Sequence, residues 1–414
     1  MPSSRSSLRR IALLAATAVA ALGVTPAASA AASAGAAGSA AAALPPVTVL
    51  TDSAAAQRDG DIFISPYVSG GGSPYSSGAE ILSPDAKHVV WSHAAPAGQE
   101  ISDFRTQTYQ GRKVLTFWQG TGLGGVATGT DYIYDDHYRQ IAAINAGNGY
   151  SADGHEFTIT PQGTALIVSY TVATADLTSI GGPADQKVID GLVQEIDIRT
   201  GKVLFQWNSA DHVPYAQSEQ PLPASADTPW DWFHINAAKV DTDGNLLVDA
   251  RDTWTTYKVQ RGSGRILWQL GGKDSSFALR AADGQQLNDA GTIFAWQHDP
   301  EPVGRDEYTV FDNESAGAGN TGQGATSEFA TSRVVTVRLD PARRTATLVR
   351  SVAQPEGQIA SSQGNAQTLE DRDLVVGWGS LPYVSEFSPS GGLLLDLRLP
   401  AGVNTYRAYR AQWK

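Results

Sequence analysis

The sequence predicts an all-β protein, a six-bladed β-propeller with its site at the central channel. Three observations lead there. The first is composition: of 414 residues only 17% are charged, while glycine reaches 42 and tryptophan 10. An average domain carries about 25% charged residues, and low charge with many glycines and aromatics suits short strands joined by tight turns. It does not suit a coiled coil, a helical solenoid or a disordered chain. The second is a recurring strand signature, a polar turn followed by four or five mostly apolar residues. The third is the spacing of those signatures. About 370 residues in units of roughly 60 make about six blades. The length itself suits one large β architecture or two ordinary domains.

The chain begins with an address. Arg5, Arg9 and Arg10 precede the apolar run IALLAATAVAALGV, and Ala28-Ser29-Ala30 offers the small residues that a signal peptidase needs. That run is short for a membrane span, so residues 1–30 are expected to be a cleaved signal peptide and the protein to be secreted, without a membrane span. No cysteine follows, which excludes a lipid anchor there. Residues 31–46, rich in alanine, glycine and serine, read as a linker. Residues 47–414 are the expected propeller domain. Losing the three signal arginines leaves 27 basic side chains against 42 acidic ones, a formal −15. That balance disfavours a nucleic-acid partner. Cysteine is absent altogether, which excludes disulfides, thiolate metal sites and cysteine nucleophiles.

Within the propeller region four segments share the strand signature: GTALIVSYT (163–171), GNLLVDARD (244–252), DEYTVFDNE (306–314) and DRDLVVGWG (371–379). Two further segments, TGKVLFQW (200–207) and SGRILWQL (263–270), place a strand after a glycine turn. The stretch 47–150 repeats less clearly. Upstream of the first set stand His155, His234, His298 and Asn365, at intervals of 79, 64 and 67 residues. Equivalent positions in successive blades converge on one funnel, because the innermost strand of each blade lines the channel. His155, His234 and His298 are therefore expected to meet there, and Arg251, at the far end of the strand after His234, to point into the same space. A lone histidine in a β protein usually packs or lies at the surface, which is the expectation for His88, His93, His137 and His212. Trp230, Trp232, Phe233 and Trp296 flank two of the funnel histidines and are expected mostly to pack between blades.

Without thiols, three histidines and an arginine leave metal binding, acid–base catalysis or a histidine nucleophile. Three histidines suffice for zinc, but Arg251 repels a dication and none of the three sits in a close H-x-x-x-H pair. A compact oxyanion such as sulfate or phosphate fits better. A guanidinium holds two oxygens and a protonated imidazole another, while a neutral imidazole attacks the central atom.

The stretches GHEFTITPQGTALIVSYT, DWFHINAAKVDTDGNLLVDARDTWTTYKVQRGSGRILWQLGGKDSSF, FAWQHDP and SQGNAQTLEDRDLVVGWGSLPYVSEFSPSGG resemble the arylsulfotransferase family. The likeness runs from about Val47 to Trp413, and its most specific parts are D-W-x-H-x-N and the strand ending in arginine. The resemblance implies a secreted or periplasmic six-bladed propeller that moves a sulfuryl group from an aryl sulfate to a phenol without a nucleotide donor. It maps the transiently sulfated histidine onto His298. The motif histidine maps onto His234, the strand-end arginine onto Arg251 and the early histidine onto His155, with Asn236 at the motif's asparagine as a substrate-binding residue. No cofactor or metal is implied. Two departures stand out: bacterial members with a disulfide have no counterpart here, and Asp299-Pro300 directly follows His298. Three other readings compete. They are a propeller that binds a sulfated or phenolic ligand without turnover, a quinoprotein-like oxidoreductase suggested by the TGKVLFQW and SGRILWQL repeats, and a zinc hydrolase.

Overall fold

The computed structural model describes residues 43–69, 73–123, 125–315 and 331–414. The expected signal peptide lies outside the described residues. From Ala43, whose carbonyl accepts the N–H of Ser76, the chain forms six mainly antiparallel sheets that build a six-bladed propeller. Among the described residues no helix is long and apolar enough to cross a membrane.

Blades 2, 3 and 4 are contiguous in sequence. Blade 2 runs Glu100–Tyr109, Arg112–Thr121, Thr128–Tyr134 and Gln140–Ile144 from channel to rim; blade 3 runs Phe157–Ile159, Thr164–Ala175, Gln186–Asp197 and Val203–Asn208. Blade 4 runs Ile235–Val240, Leu246–Ala250, Thr255–Val259 and Ile266–Gly271. Blade 5 begins at His298–Gly304 and adds a parallel rim strand, Ala278–Ala281, from upstream. Blade 6 begins at Asn365–Thr368 and takes its outermost strand, Thr48–Asp52, from the start of the domain. Blade 1 takes its innermost strand, Val403–Ala411, from the end of the chain, paired with Asp61–Val68. Both ends of the domain thus latch the ring, which closes the edges that an open sheet would expose.

The core lies between blades. Six apolar clusters occupy the six blade-to-blade interfaces, for example Leu166, Val168, Ile235 and Val248 between blades 3 and 4. The second strand of each blade is covered on both faces, and this explains its continuous apolar run. Leu246 and Val248 face blade 3 while Leu247 faces blade 5, as the two-residue period of a strand requires. Trp207, Trp230, Trp232 and Phe233 all lie in the cluster between blades 3 and 4, and His212 stacks on Trp207 at 5.1 Å. These are packing residues.

Below the channel mouth the inner strands meet in a buried lattice of charges. Blade 1 supplies Arg407, blade 2 Asp103 and Arg105, blade 3 Glu156, blade 4 Lys239, and blade 5 Asp299 and Glu301. Glu156 accepts from Arg407 at 2.9 Å and lies 3.3 Å from Lys239, which contacts Asp299 at 2.8 Å and Glu301 at 2.5 Å. Burial alone would raise the Glu156 pKa, but Arg407, Lys239 and Arg105 outweigh it and hold the carboxyl below its ordinary range.

Candidate active site at the channel mouth

The three histidines stand at the starts of three inner strands: His155 two residues before that of blade 3, His234 one before that of blade 4, and His298 first in that of blade 5. Arg251 follows the second strand of blade 4 in a single 3-10 turn, Arg251–Thr253. An antiparallel hairpin brings the end of its second strand back beside the start of its first, so the Arg251 N–H donates to the His234 carbonyl at 3.0 Å. His234, Trp296 and Asp299 adopt left-handed backbone angles, φ 51°, 56° and 54°, uncommon for side chains this large. Such conformations persist only where the surroundings impose them.

The site is compact and nearly closed: exposure is 1% for His155 and His298, 4% for Arg251 and 9% for His234. The rings of His155 and His234 meet edge to face at 5.1 Å, and Tyr170 packs against both. Arg251 lies over the Trp296 ring at 5.1 Å, donates to Asp252 at 2.7 Å and reaches the Ser361 carbonyl at 3.2 Å. Among the described residues its Nε is buried without a partner. Trp296 and Trp254 form a small apolar cluster with Ala295 at the mouth, apart from the blade interfaces.

Each histidine is fixed through Nδ1, but by different groups. Asp153 takes the ring Nδ1–H of His155 as well as its backbone N–H, and anchors itself on the Ala127 N–H at 2.7 Å. Asp231 takes His234 Nδ1 at 2.5 Å; it sits on a short strand, Trp230–Asp231, paired in parallel with blade 3. His298 has a neutral partner, the Asn313 side-chain oxygen at 2.8 Å. The Asn313 nitrogen donates to the carbonyls of Ala360 and Gln363, so its oxygen must face the ring and Nδ1 must carry the hydrogen. Nε2 of His298 is then a lone-pair acceptor, and it accepts the Gln363 backbone N–H at 3.1 Å. Gly364 makes this approach possible: it has φ 104°, and a Cβ there would strike the Phe311 ring at 2.6 Å.

These surroundings pull the histidines apart in charge. Burial, then Arg251, push the His298 pKa well below its ordinary value, with His234 and His155 adding to the effect. For His234 burial also lowers the value, but Asp231 and Asp252 outweigh it and the net shift is upward. The two imidazoles are thus biased in opposite directions, His298 towards the neutral form and His234 towards the protonated one.

Asn236 lies one step below. It is fully buried, and its side-chain nitrogen donates to the Gln297 carbonyl at 2.9 Å. The Gln297 side chain in turn donates to Asp249 at 3.0 Å and to the Ala250 carbonyl at 3.1 Å. Asn236 thus grips the segment that carries His298. Asp299 turns away from the mouth into the charge lattice, so the Asp-Pro that follows His298 leaves its ring pointing to the channel.

Asp153, Asp231, Asn313, Gln363 and Tyr406 were not singled out from the sequence. Two of them had a local signal, since the aspartates precede their histidines in DGH (153–155) and DWFH (231–234). The other three come from distant segments: the end of a blade 5 strand, the loop into blade 6 and the C-terminal strand. Tyr406 packs its ring 5.8 Å from that of His155. At the mouth one group has metal-ligand spacing, Asp231, His234 and Asp252, with ligand atoms within 4.8 Å of one another. Arg251 already donates into it.

The arylsulfotransferase (ASST) family model matches residues 105–399, well over half of the sequence. The chain belongs to the arylsulfotransferase family. No curated protein matches it. Among solved structures, a protein of unknown function from Bacteroides caccae is 12% identical with a TM-score of 0.50, over 85% of this chain and 99% of that one. That likeness supports the fold alone. A virginiamycin B lyase from Staphylococcus aureus is 8% identical with a TM-score of 0.40, over 84% of this chain and 86% of the other. Membership in the arylsulfotransferase family supports arylsulfotransferase-type activity in general terms.

Proposed function

We propose that the protein is an exported aryl-sulfate sulfotransferase that works through a sulfated His298. The observation that carries this reading is the unequal backing of the histidines, a neutral amide behind His298 and carboxylates behind His155 and His234. A nucleophile must keep its lone pair: burial and Arg251 favour the neutral form of His298, and the Asn313 contact places its one hydrogen on Nδ1, which leaves Nε2 free of a proton. A general acid must hold a proton, and Asp231 favours that state of His234.

Nε2 of His298 attacks the sulfur of an aryl sulfate, the N–S bond forms, and the bond from sulfur to the aryl oxygen breaks. The departing phenolate takes a proton from His234, or from His155 beside it. Arg251 neutralises the sulfuryl oxygens with its planar fork. As the lone pair is consumed, the Gln363 N–H loses its acceptor and is released to an arriving oxygen. A second phenol then gives its proton to the same histidine and takes the sulfuryl group, restoring His298. The transfer potential stays in the N–S bond, so neither a nucleotide nor a metal is required. Asn236 supports the reaction by holding Gln297 and the start of the inner strand. Export relies on residues 1–30, and the transfer domain spans 47–414.

The test is to incubate the purified protein with an aryl sulfate and follow intact and peptide masses under mildly alkaline conditions. A sulfuryl adduct on the peptide containing His298, discharged by added phenol, is expected. If several donors give neither adduct nor released phenol, the transferase reading fails and a ligand-binding propeller takes its place.

A further inference from the structure

We propose a divalent-cation site, filled by calcium, where blade 6 meets blade 1 at the end of the channel opposite the histidines. The site is formed by Asp59, Asp371, Asp373 and Glu386.

Asp371 and Asp373 occupy the hairpin that joins the first two strands of blade 6, and Asp59 closes the 3-10 turn Ala56–Asp59 that leads into blade 1. One carboxylate oxygen from each of the three lies within 4.8 Å of the others. Asp373 is only 6% exposed, yet among the described residues its carboxylate has no hydrogen-bond or ion-pair partner. Glu386, on the third strand of blade 6, is fully buried and gives one oxygen to Arg410. Among the described residues its other oxygen is buried without a donor and lies against Asp59, whose Oδ2 is likewise buried and unpartnered. Two acceptor oxygens facing each other need a cation or a shared proton between them. Three carboxylates converge near one guanidinium, that of Arg58, while Glu386 behind them is paired with Arg410, and the excess charge is that of one dication. A cleft of about 500 Å³ that includes Asp59 and Asp371 opens beside the cluster and gives an ion a path and room for water ligands.

The same hairpin in blade 4 shows what is missing. Asp243 and Asn245 stand where blade 6 has Asp371 and Asp373: in both turns the second residue's N–H donates to the first carboxylate at 3.0 Å. The third-strand residue opposite Leu247 is Lys258, and the one opposite Val375 is Glu386. Lys258 neutralises its turn internally, reaching Asp243 at 2.6 Å and Asp241 at 2.7 Å. Blade 6 puts an acid where blade 4 has a lysine, so its positive charge must come from outside. An all-oxygen set with flexible, partly solvated geometry suits calcium better than magnesium. An ion there ties blade 6 to the first turn of blade 1, across the junction where the ring closes.

The test uses the mature chain, stripped with chelator and titrated with calcium chloride, read by thermal melting and calorimetry. One bound calcium is expected, with a melting temperature raised by roughly 3–5 °C at a hundredfold excess over Kd. Asp371→Asn with Asp373→Asn is expected to fold, since Asn245 fills the matching turn position, and to lose the shift. Asp243→Asn in blade 4 is expected to keep it. Identical melting in chelator and in millimolar calcium would overturn the proposal and leave a shared proton. A calcium shift that survives in the double variant would overturn it as well. Neither outcome bears on sulfuryl transfer, because the histidines lie at the other end of the channel.

Discussion

His155 and Glu156 are consecutive, as are His298 and Asp299, yet the members of each pair serve different levels of the channel. The histidines turn to the mouth and the acids to the lattice below. In the lattice every charge meets an opposite charge from another blade: Glu156 is clasped by Arg407, Lys239 and Arg105, and Lys239 by three carboxylates. Its interactions are spent on itself. At the mouth each histidine is held from behind, and among the described residues Nε2 of His155 and His234 has no partner. The lattice fixes the ring of blades; at the mouth the nucleophilic nitrogen of His298 accepts only one backbone N–H, that of Gln363. Two stacked layers of titratable groups thus do different work because of where their partners come from.

The comparison breaks most easily at the mouth. His298→Ala is expected to lower sulfuryl transfer by ~10⁴-fold or more while far-UV circular dichroism and the melting temperature stay unchanged. Arg251→Lys should cost roughly 10²–10³-fold in kcat, since an ammonium cannot reproduce the planar fork; a near-normal rate would make Arg251 purely structural. In the lattice the damage should instead be to stability. Lys239→Met leaves Glu156, Asp299 and Glu301 short of a cation and is expected to cost about 3–5 kcal/mol in urea unfolding, with the shape of the pH–rate profile preserved.

That profile sharpens the contrast further. The His298 pKa is lowered far below the ordinary 6.5, so the rate should fall only at distinctly acidic pH, as the nucleophile protonates. The His234 pKa is raised above 6.5, so the alkaline limb marks loss of its proton. Asp231→Asn removes the group that raises it and is expected to move the alkaline limb down by about one pH unit, roughly tenfold in rate on that limb. The smallest effect belongs to Asp249, between the two levels, whose pKa burial raises to about 7. A raised carboxyl favours the fold below its unfolded value near 3.8, and that contribution is lost as pH rises through about 7. Asp249→Asn should therefore stabilise the protein above pH 7 and change it little at pH 4, measured by chemical unfolding at both.

Most of the blade pattern was legible because strands two and four of a blade repeat locally. Thr164–Ala175, Leu246–Ala250, Glu307–Asp312 and Leu374–Gly377 all fall on the signature segments, and Val203–Asn208 and Ile266–Gly271 on the other two. The first hundred residues of the domain were hard to read for a physical reason. Blade 1 has no contiguous repeat, since its inner strand comes from Val403–Ala411, and the strand Thr48–Asp52 belongs to blade 6. The histidines were found because each begins a blade. Asn313 and Gln363 carry no periodic mark, and their role exists only where blade 5 meets the loop into blade 6.

By itself the sequence determined the all-β class, the approximate number of blades and the residue types that gather at the mouth. These follow from patterns a few residues long, set by strand period, turn chemistry and equal spacing. The tertiary structure alone decided which imidazole is biased towards the neutral form and which towards the protonated one. A pKa depends on partners at 2.5–2.8 Å, such as Asp231 and Asn313, and on burial. It likewise decided that Lys258 and Glu386, alike in position, give one blade a closed ion pair and another a site that calls for a cation.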